Sequence, residues 1–240
     1  MTISFDSHTH TLASGHAFST IEEYTAACRL KGLEGFTTTD HGPNMDGAPK
    51  PIYFFNLVSL PREINGIRVL RGVEANIIDY GGRLDLPDLI LKKLDVCIAS
   101  YHDICLRPQA SVDHTAAWQA VLKNPYVDIV GHSGRGPFPF DVETVLKTCL
   151  EQNKAIEINN HTFSDDKYLC NCRDIALACK KFGVNIVVNS DAHLSQQVGV
   201  VDKALALLNS IDFPFELIVN KTYADFSRWL ISRKPWLKGL

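Results

Sequence analysis

The sequence has no long apolar run. Nothing in it approaches the ~18 consecutive apolar residues of a membrane span, so a membrane anchor is not expected. Met1–His10 lacks the basic start and apolar stretch of a secretory signal peptide, which argues against export and for a cytoplasmic protein. Basic charge is not in excess. Against 27 Asp and Glu stand 24 Lys and Arg, a formal net charge of −3, whereas proteins living on non-specific phosphate-backbone contacts carry a basic surplus. Stable nucleic-acid binding is therefore not expected. Low-complexity tracts, Ser/Gly linkers and blocks of like charge are absent, so neither disorder nor a second domain is indicated. Cysteine is present in an odd number, seven, scattered from Cys28 to Cys179; without a leader these read as reduced thiols rather than a disulfide frame.

What remains is an ordinary globular composition, 45% hydrophobic and 21% charged over 240 residues, a length that an α/β barrel fills as one domain. Short runs rich in Val, Ile, Phe and Thr recur at Ile3–Ser7, Gly35–Thr39, Val69–Val73, Val96–Ser100, Val127–Gly131, Ala155–Asn159 and Asn185–Ser190. Helical spacing fills most of the intervals: from a capping-box pattern at Ser19-Thr-Ile-Glu22 to Gly32, then about Asp113–Lys123, Asp141–Asn153, Cys170–Phe182 and Val201–Ser210. Seven strands with intervening helices predict an α/β fold, a closed or nearly closed (β/α) barrel over residues 1–240; an open doubly wound sheet shares the alternation.

Histidine placement carries the functional signal. Of nine histidines, His8 and His10 close the first run, His41 follows the second, and His102, His132 and His193 come just after the fourth, fifth and seventh. Glu74 and Asp191 hold the matching points of the third and seventh runs. Strand C-termini of a parallel α/β fold open onto one face, so these residues converge on one pocket. Imidazoles with two carboxylates and no thiolate suit zinc, manganese or iron. A lone His-x-His is more often an ordinary pair; six histidines at strand ends carry the metal reading. Period-two alternation puts Asp6, His8 and His10 on one face, with Asp6 placed to fix an imidazole tautomer. His114, at a helix start, reads as an ordinary exposed histidine. His161 reads as a pocket-lining residue before it reads as a ligand, and His16 as a loop histidine. Asp40 is weighed evenly between orienting a ligand and capping a turn. Cys170-x-Cys172 has no second pair at matching spacing and is not expected to hold zinc.

The run His8-Thr-His10-Thr-Leu-Ala-Ser-Gly-His16-Ala-Phe-Ser-Thr, with Thr39-Asp40-His41-Gly42-Pro43, Gly72-Val-Glu74-Ala-Asn76, Glu157-Ile-Asn-Asn160 and Ser190-Asp191-Ala-His193, resembles the PHP family, named for polymerase and histidinol phosphatase. The segment from Gly15 to Thr20 and the Asp212-Phe-Pro run look most like its stand-alone, YcdX-like probable-phosphatase subgroup. The resemblance implies a distorted, TIM-like (β/α)7 barrel holding three divalent transition metal ions, usually zinc. It assigns His8, His10, Glu74 and Asp191 to one ion, Glu74 as a bridge to a second completed by His102 and His132, and His16, His41 and His193 to the third. Glu74, Asp191 and His193 would be catalytic. The chain departs from the subgroup where His132-Ser133-Gly134-Arg135-Gly136 replaces His-Pro-Gly-Asn-Pro, in the neighbours of His102, and at Asn160-His161-Thr162. The ligands survive these changes, but the loops facing the substrate differ.

Such a set suits phosphate chemistry. Two carboxylates among neutral imidazoles contribute −2, and three dications would bring +6, leaving +4 to attract a phosphate dianion whatever the net charge of the chain. Metal coordination lowers the pKa of water to near ~7, which yields a hydroxide nucleophile. Arg135 and Arg173 are candidates to grip phosphate oxygens bidentately, each weighed against a plain surface ion pair. The expected function is thus a metal-dependent phosphatase of small phosphomonoesters, with nucleotide or oligonucleotide hydrolysis as the alternative within the family. An amidohydrolase-type site would need a bridging lysine after the fourth strand, where the chain reads Ala-Ser-Tyr-His-Asp. A non-catalytic scaffold would have lost ligands, and all nine matching positions are intact. A homo-oligomer, a trimer included, is compatible with the subgroup resemblance.

Overall fold

The computed structural model describes residues 2–109, 112–237 and 239–240. All seven β-rich runs become strands, and all run parallel: β1 (Phe5–Thr9), β2 (Gly35–Thr38), β4 (Ile67–Asn76), β5 (Val96–Ser100), β6 (Ile129–Val130), β7 (Ala155–Asn159) and β8 (Ile186–Asn189), hydrogen-bonded in that order. A two-residue extra strand, β3 (Glu63–Ile64), lies antiparallel against β4. Alternation sorts the side chains. Phe5, Leu70, Val96, Ile98, Ile129, Ala155 and Val187 form an inner core. The opposite faces, among them Val73, Cys97, Ala99, Val130, Ile156 and Val188, pack with the apolar stripes of α4 (Thr115–Lys123), α5 (Val142–Glu151), α6 (Leu169–Phe182) and α7 (Asp202–Ser210). The inner core also takes in Phe226, Trp229 and Leu230 of α8 (Tyr223–Arg233), together with Leu237.

The ring nearly closes. Between β8 and β1 there is no continuous ladder; instead Asn189 Oδ1 accepts from the Ser7 N–H and hydroxyl, and Asn220 Nδ2 donates to the Phe5 and Val188 carbonyls. Above them His10 N–H reaches the Ala192 carbonyl at 2.8 Å. This is the nearly closed seven-stranded barrel, and the open-sheet alternative falls away.

Local signals behaved as chemistry demands, with one shift of register. Helix α1 (Ile21–Lys31) starts on a capping box formed by Thr20 and Glu23, one residue later than the predicted Ser19–Glu22, and ends on Gly32 at φ 68°. The Ser19 hydroxyl serves another purpose, accepting from the Ser195 N–H. Helices α2 (Pro51–Asn56) and α3 (Asp88–Leu91), like α8, were not predicted; α2 and α3 are too short for helical spacing to declare itself. No helix among the described residues is long and apolar enough to cross a membrane.

Candidate metal centre

All nine candidate ligands lie at the C-terminal mouth of the barrel. Backbone pairing puts them in register. An isolated parallel bridge joins His41 to Glu74, with Gly42 N–H bonded to the Glu74 carbonyl (2.8 Å) and Glu74 N–H to the Asp40 carbonyl (3.1 Å). A second bridge, Thr9 to Ala192, sets Asp191 and His193 beside His10. The Tyr24 hydroxyl shares its proton between the His10 and Ala192 carbonyls, at 2.9 and 2.7 Å. Asp191 and His132 occupy left-handed backbone, at φ 57° and 23°, uncommon outside glycine. Gly131 precedes His132 because a Cβ there would fall 2.1 Å from Ser100 Oγ.

Two carboxylates form the centre. Glu74 Oε2 faces His41 Nδ1 at 2.8 Å and the Nε2 atoms of His8 and His10 at 3.5 Å each, while its Oε1 faces His132 Nε2 at 2.8 Å and His102 Nε2 at 3.4 Å. Asp191 Oδ1 lies 3.1 Å from His10 Nε2, 3.5 Å from His8 Nε2 and 3.7 Å from His193 Nδ1. His16 meets His193, Nε2 to Nε2, at 3.2 Å.

The support beneath these imidazoles is not what alternation predicted. The β1–β2 register shifts between Asp6 and Thr9, so Asp6 turns away from the cluster and accepts from the Ser190 hydroxyl, from Gly199 N–H (2.8 Å) and weakly from His8 N–H (3.4 Å). The carboxylate that holds an imidazole is Glu157 on β7. Its Oε1 meets His8 Nδ1 at 2.7 Å, its Oε2 accepts His132 N–H at 2.8 Å, and Asn189 and Asn159 donate to it as well. Sequence reasoning used Glu157 only as part of a motif; its inward parity on a strand was the signal for its role. Asp40 is both anchor and indirect orienter: it accepts from Thr11 N–H, Tyr53 OH and Ser14 Oγ, and Ser14 Oγ in turn meets His10 Nδ1 at 3.0 Å.

Burial opposes any charge here, and the outcome differs by residue. It drives His10 well below the usual imidazole range, with His41 adding to the effect, and His132 down to about 4, with Arg135 adding. Burial would raise Glu74 and Asp191, but the imidazoles of His102, His41 and His8 around the first, and His8, His10 and Arg135 around the second, outweigh it and hold both well below the carboxylate range. His8 goes the opposite way from His10 and His132: burial disfavours its charge, yet Glu157, Asp191 and Glu74 together raise its pKa well above the usual value.

These residues fit a metal. The Nδ1 atoms of His8 and His10 are committed to Glu157 and to Ser14, whose own proton goes to Asp40, so their Nε2 lone pairs meet 3.0 Å apart. A cation has to lie between them: a proton on His8, or a metal ion displacing it. His41 Nδ1 is buried without a hydrogen bond. Three sets of ligand atoms lie within 4.8 Å of one another: His8, His10 and Asp191; His41, Glu74 and His102; and His10, His41 and His193. No cysteine joins these sets, and of the pair on α6 Cys170 is exposed and Cys172 buried.

A cavity of about 370 Å³ opens over the cluster, lined also by Met45, Arg135 and His161. Arg135 Nη2 reaches Asp191 Oδ2 and Thr162 Oγ1 at 3.2 Å each, so it stands at the wall of this cavity. Arg173 does not. It lines a separate depression with Phe163, Asp166, Leu169 and Lys203, because α6 turns its position away from the barrel mouth. His161 is an exposed wall residue. His114 is buried rather than exposed: its ring packs against Tyr101 and Phe138, and its Nδ1 bonds the Pro139 carbonyl at 3.1 Å.

A family model described as the PHP domain matches residues 6–135, more than half of the chain. The chain belongs to the PHP family. It is 46% identical over 234 residues to a protein of Acetivibrio thermocellus named "Probable phosphatase", covering 97% of each, and 48% identical over 236 residues to a Clostridium botulinum protein of the same name, covering 98% and 97%. Histidinol phosphate phosphatase from Lactococcus lactis, solved with zinc, L-histidinol and phosphate, superposes with a TM-score of 0.65 at 19% identity over 89% of this chain and 95% of that one. A chain of archaeal ribonuclease P with mature tRNA superposes at 0.64, 17% identical, over 98% and 93%. At such identities what is shared is the fold.

Proposed function

We propose that the protein hydrolyses small phosphomonoesters at a trinuclear metal centre: His8, His10, Glu74 and Asp191 on one ion, Glu74, His102 and His132 on a second, His16, His41 and His193 on the third. That it is a phosphatase rests on the family and on relatives spanning nearly the whole chain. The finer reading rests on Glu74, whose two oxygens face different groups of imidazoles, as a bridging carboxylate must. Ions bound there would supply Lewis acidity and an acidified water as nucleophile. The chain's own residues do the rest. Glu157, Ser14 and Asn76 hold ring protons on Nδ1 and leave Nε2 bare. Among the described residues Arg135 spends only Nη2 on the protein, leaving the remaining donors of its fork for phosphate oxygens. A cavity of about 370 Å³ suits a small ester, and zinc, manganese and iron all suit its nitrogen and oxygen donors.

Elemental analysis of purified protein, run beside a panel of monoesters, nucleotides and short oligonucleotides, tests this. About three metal equivalents per chain with turnover on monoesters is the expected result. Turnover confined to oligonucleotides would replace the substrate class. Folded protein that neither takes up metal nor turns over would overturn the reading.

A further inference from the structure

Asp85 lies outside the ligand set and touches no histidine, yet its carboxylate is tied into the floor of the metal centre. Oδ1 accepts the Asn76 N–H at 3.0 Å; Oδ2 accepts Asn76 Nδ2 at 2.6 Å and the Asn44 N–H at 3.0 Å. The second proton of Asn76 Nδ2 goes to the Gly42 carbonyl at 3.0 Å. With both amide protons engaged, Asn76 has only Oδ1 to offer His102, whose Nδ1 meets it at 2.7 Å. An amide oxygen accepts and never donates. His102 must therefore carry its proton on Nδ1 and leave Nε2 bare, 3.4 Å from Glu74 Oε1. The fit is close: a Cβ on Gly42 would fall 2.4 Å from either oxygen of Asp85.

We infer that Asp85 is a positioning residue: by orienting the Asn76 amide it selects the His102 tautomer able to bind metal, and it seats the turn from Gly42 to Asn44 that follows His41. The metal half of this rests on the ligand role proposed for His102. The chemistry requires an acceptor without protons. An amide in place of the carboxylate brings two protons against those of Asn44 N–H and Asn76 Nδ2. A half-turn of the Asn76 amide relieves the clash between the two side-chain amides, at the cost of its bond to the Gly42 carbonyl, and aims NH2 at His102, which then must accept at Nδ1 and hold its proton on Nε2. Truncation acts differently. Asp85 lines an open depression of about 550 Å³ with Asn44, Leu84 and Pro87, so water can replace the lost acceptor while the Gly42 carbonyl still holds Asn76.

The test compares Asp85→Asn with Asp85→Ala, reading zinc affinity by chelator competition and ring protonation by long-range ¹H–¹⁵N correlation. In the wild type His102 should carry its proton on Nδ1. Asp85→Asn should move it to Nε2 in the metal-free form and weaken one zinc equivalent by ~10–100-fold, the usual range for a residue supporting a ligand. Asp85→Ala should keep the proton on Nδ1 and lose less. A merely structural role implies the reverse order, since Ala deletes three hydrogen bonds and Asn keeps the shape. The inference is overturned if Asp85→Asn binds zinc as tightly as wild type with the proton still on Nδ1, if Asp85→Ala is the worse variant, or if the wild-type ring is protonated on Nε2. Should the wild type take no zinc, the metal-centre reading fails, and the ring-proton positions alone decide the role of Asp85.

Discussion

The two ends of the barrel treat buried charge in opposite ways. At the bottom Asp128 and Lys234 are both fully buried and lie 2.6 Å apart, Arg233 reaches the other oxygen of Asp128 at 3.2 Å, and the Cys97 N–H adds a bond at 2.8 Å. Each Asp128 oxygen finds its partner within the chain, so the network is closed. At the top Glu74 and Asp191 are as deeply buried, but burial drives His10 and His132 beside them toward the neutral form, and the charge favoured on His8 is shared among Glu157, Asp191 and Glu74. Two carboxylates that share one favoured imidazole charge, with Glu157 drawing on it as well, form an open network. What completes it must come from outside. Buried charge alone therefore does not mark a functional site; charge with too few cations of its own does.

The largest expected effect breaks the open network. Glu74→Gln keeps the shape but loses the charge and one acceptor oxygen, so it should lose about two metal equivalents and cut turnover at least ~100-fold, while His16→Ala, on a loop, should lose about one. Metal counts after identical reconstitution check this; a Glu74→Gln protein with full metal and near-normal turnover would remove the bridge. The closed network comes next. Asp128→Asn strands the Lys234 ammonium in the core and should cost about 3–5 kcal/mol in denaturant unfolding, with metal content per folded chain unchanged. Loss of metal in that variant would mean that the two ends are coupled.

A smaller effect concerns Lys154, which donates to the Asn124 and Val127 carbonyls at the bottom of the barrel and whose pKa burial lowers to about 7, with Arg233 adding. Between about 7 and the ordinary lysine value of 10.5 the folded chain holds fewer protons here than the unfolded one, so stability should rise with pH across that window; below about 7 the penalty is present in full. Unfolding free energies of wild type and Lys154→Met at pH 7 and pH 9 should shift in favour of wild type at the higher pH. A flat difference would mean that the network keeps this lysine charged. The smallest effect should be none: changing Cys170 and Cys172 together to Ser leaves metal content and turnover intact, and loss of one equivalent would reveal a separate thiolate site.

The sequence by itself determined where the strands lie along the chain and which residues stand at their C-terminal ends. Runs such as Val96–Ser100 and Ala155–Asn159 are buried on both faces and so read as unbroken β-rich segments, and ligands placed just after strands must meet in a parallel fold. It could not determine which face a residue takes once alternation breaks. Period two places Asp6 to fix an imidazole tautomer, but an irregularity in β1 leaves that role to Glu157, 149 residues from the His8 ring it holds. Arg135 and Arg173 were equal as sequence; the barrel mouth kept one, and helix α6 carried the other off. His114 read as a surface residue until Tyr101 and Phe138 enclosed it. Each of these outcomes depends on residues far apart in the chain. Local pattern specifies which groups a strand can present; only tertiary packing decides what lies within 3 Å of them, and hence which protons they carry and what they can bind.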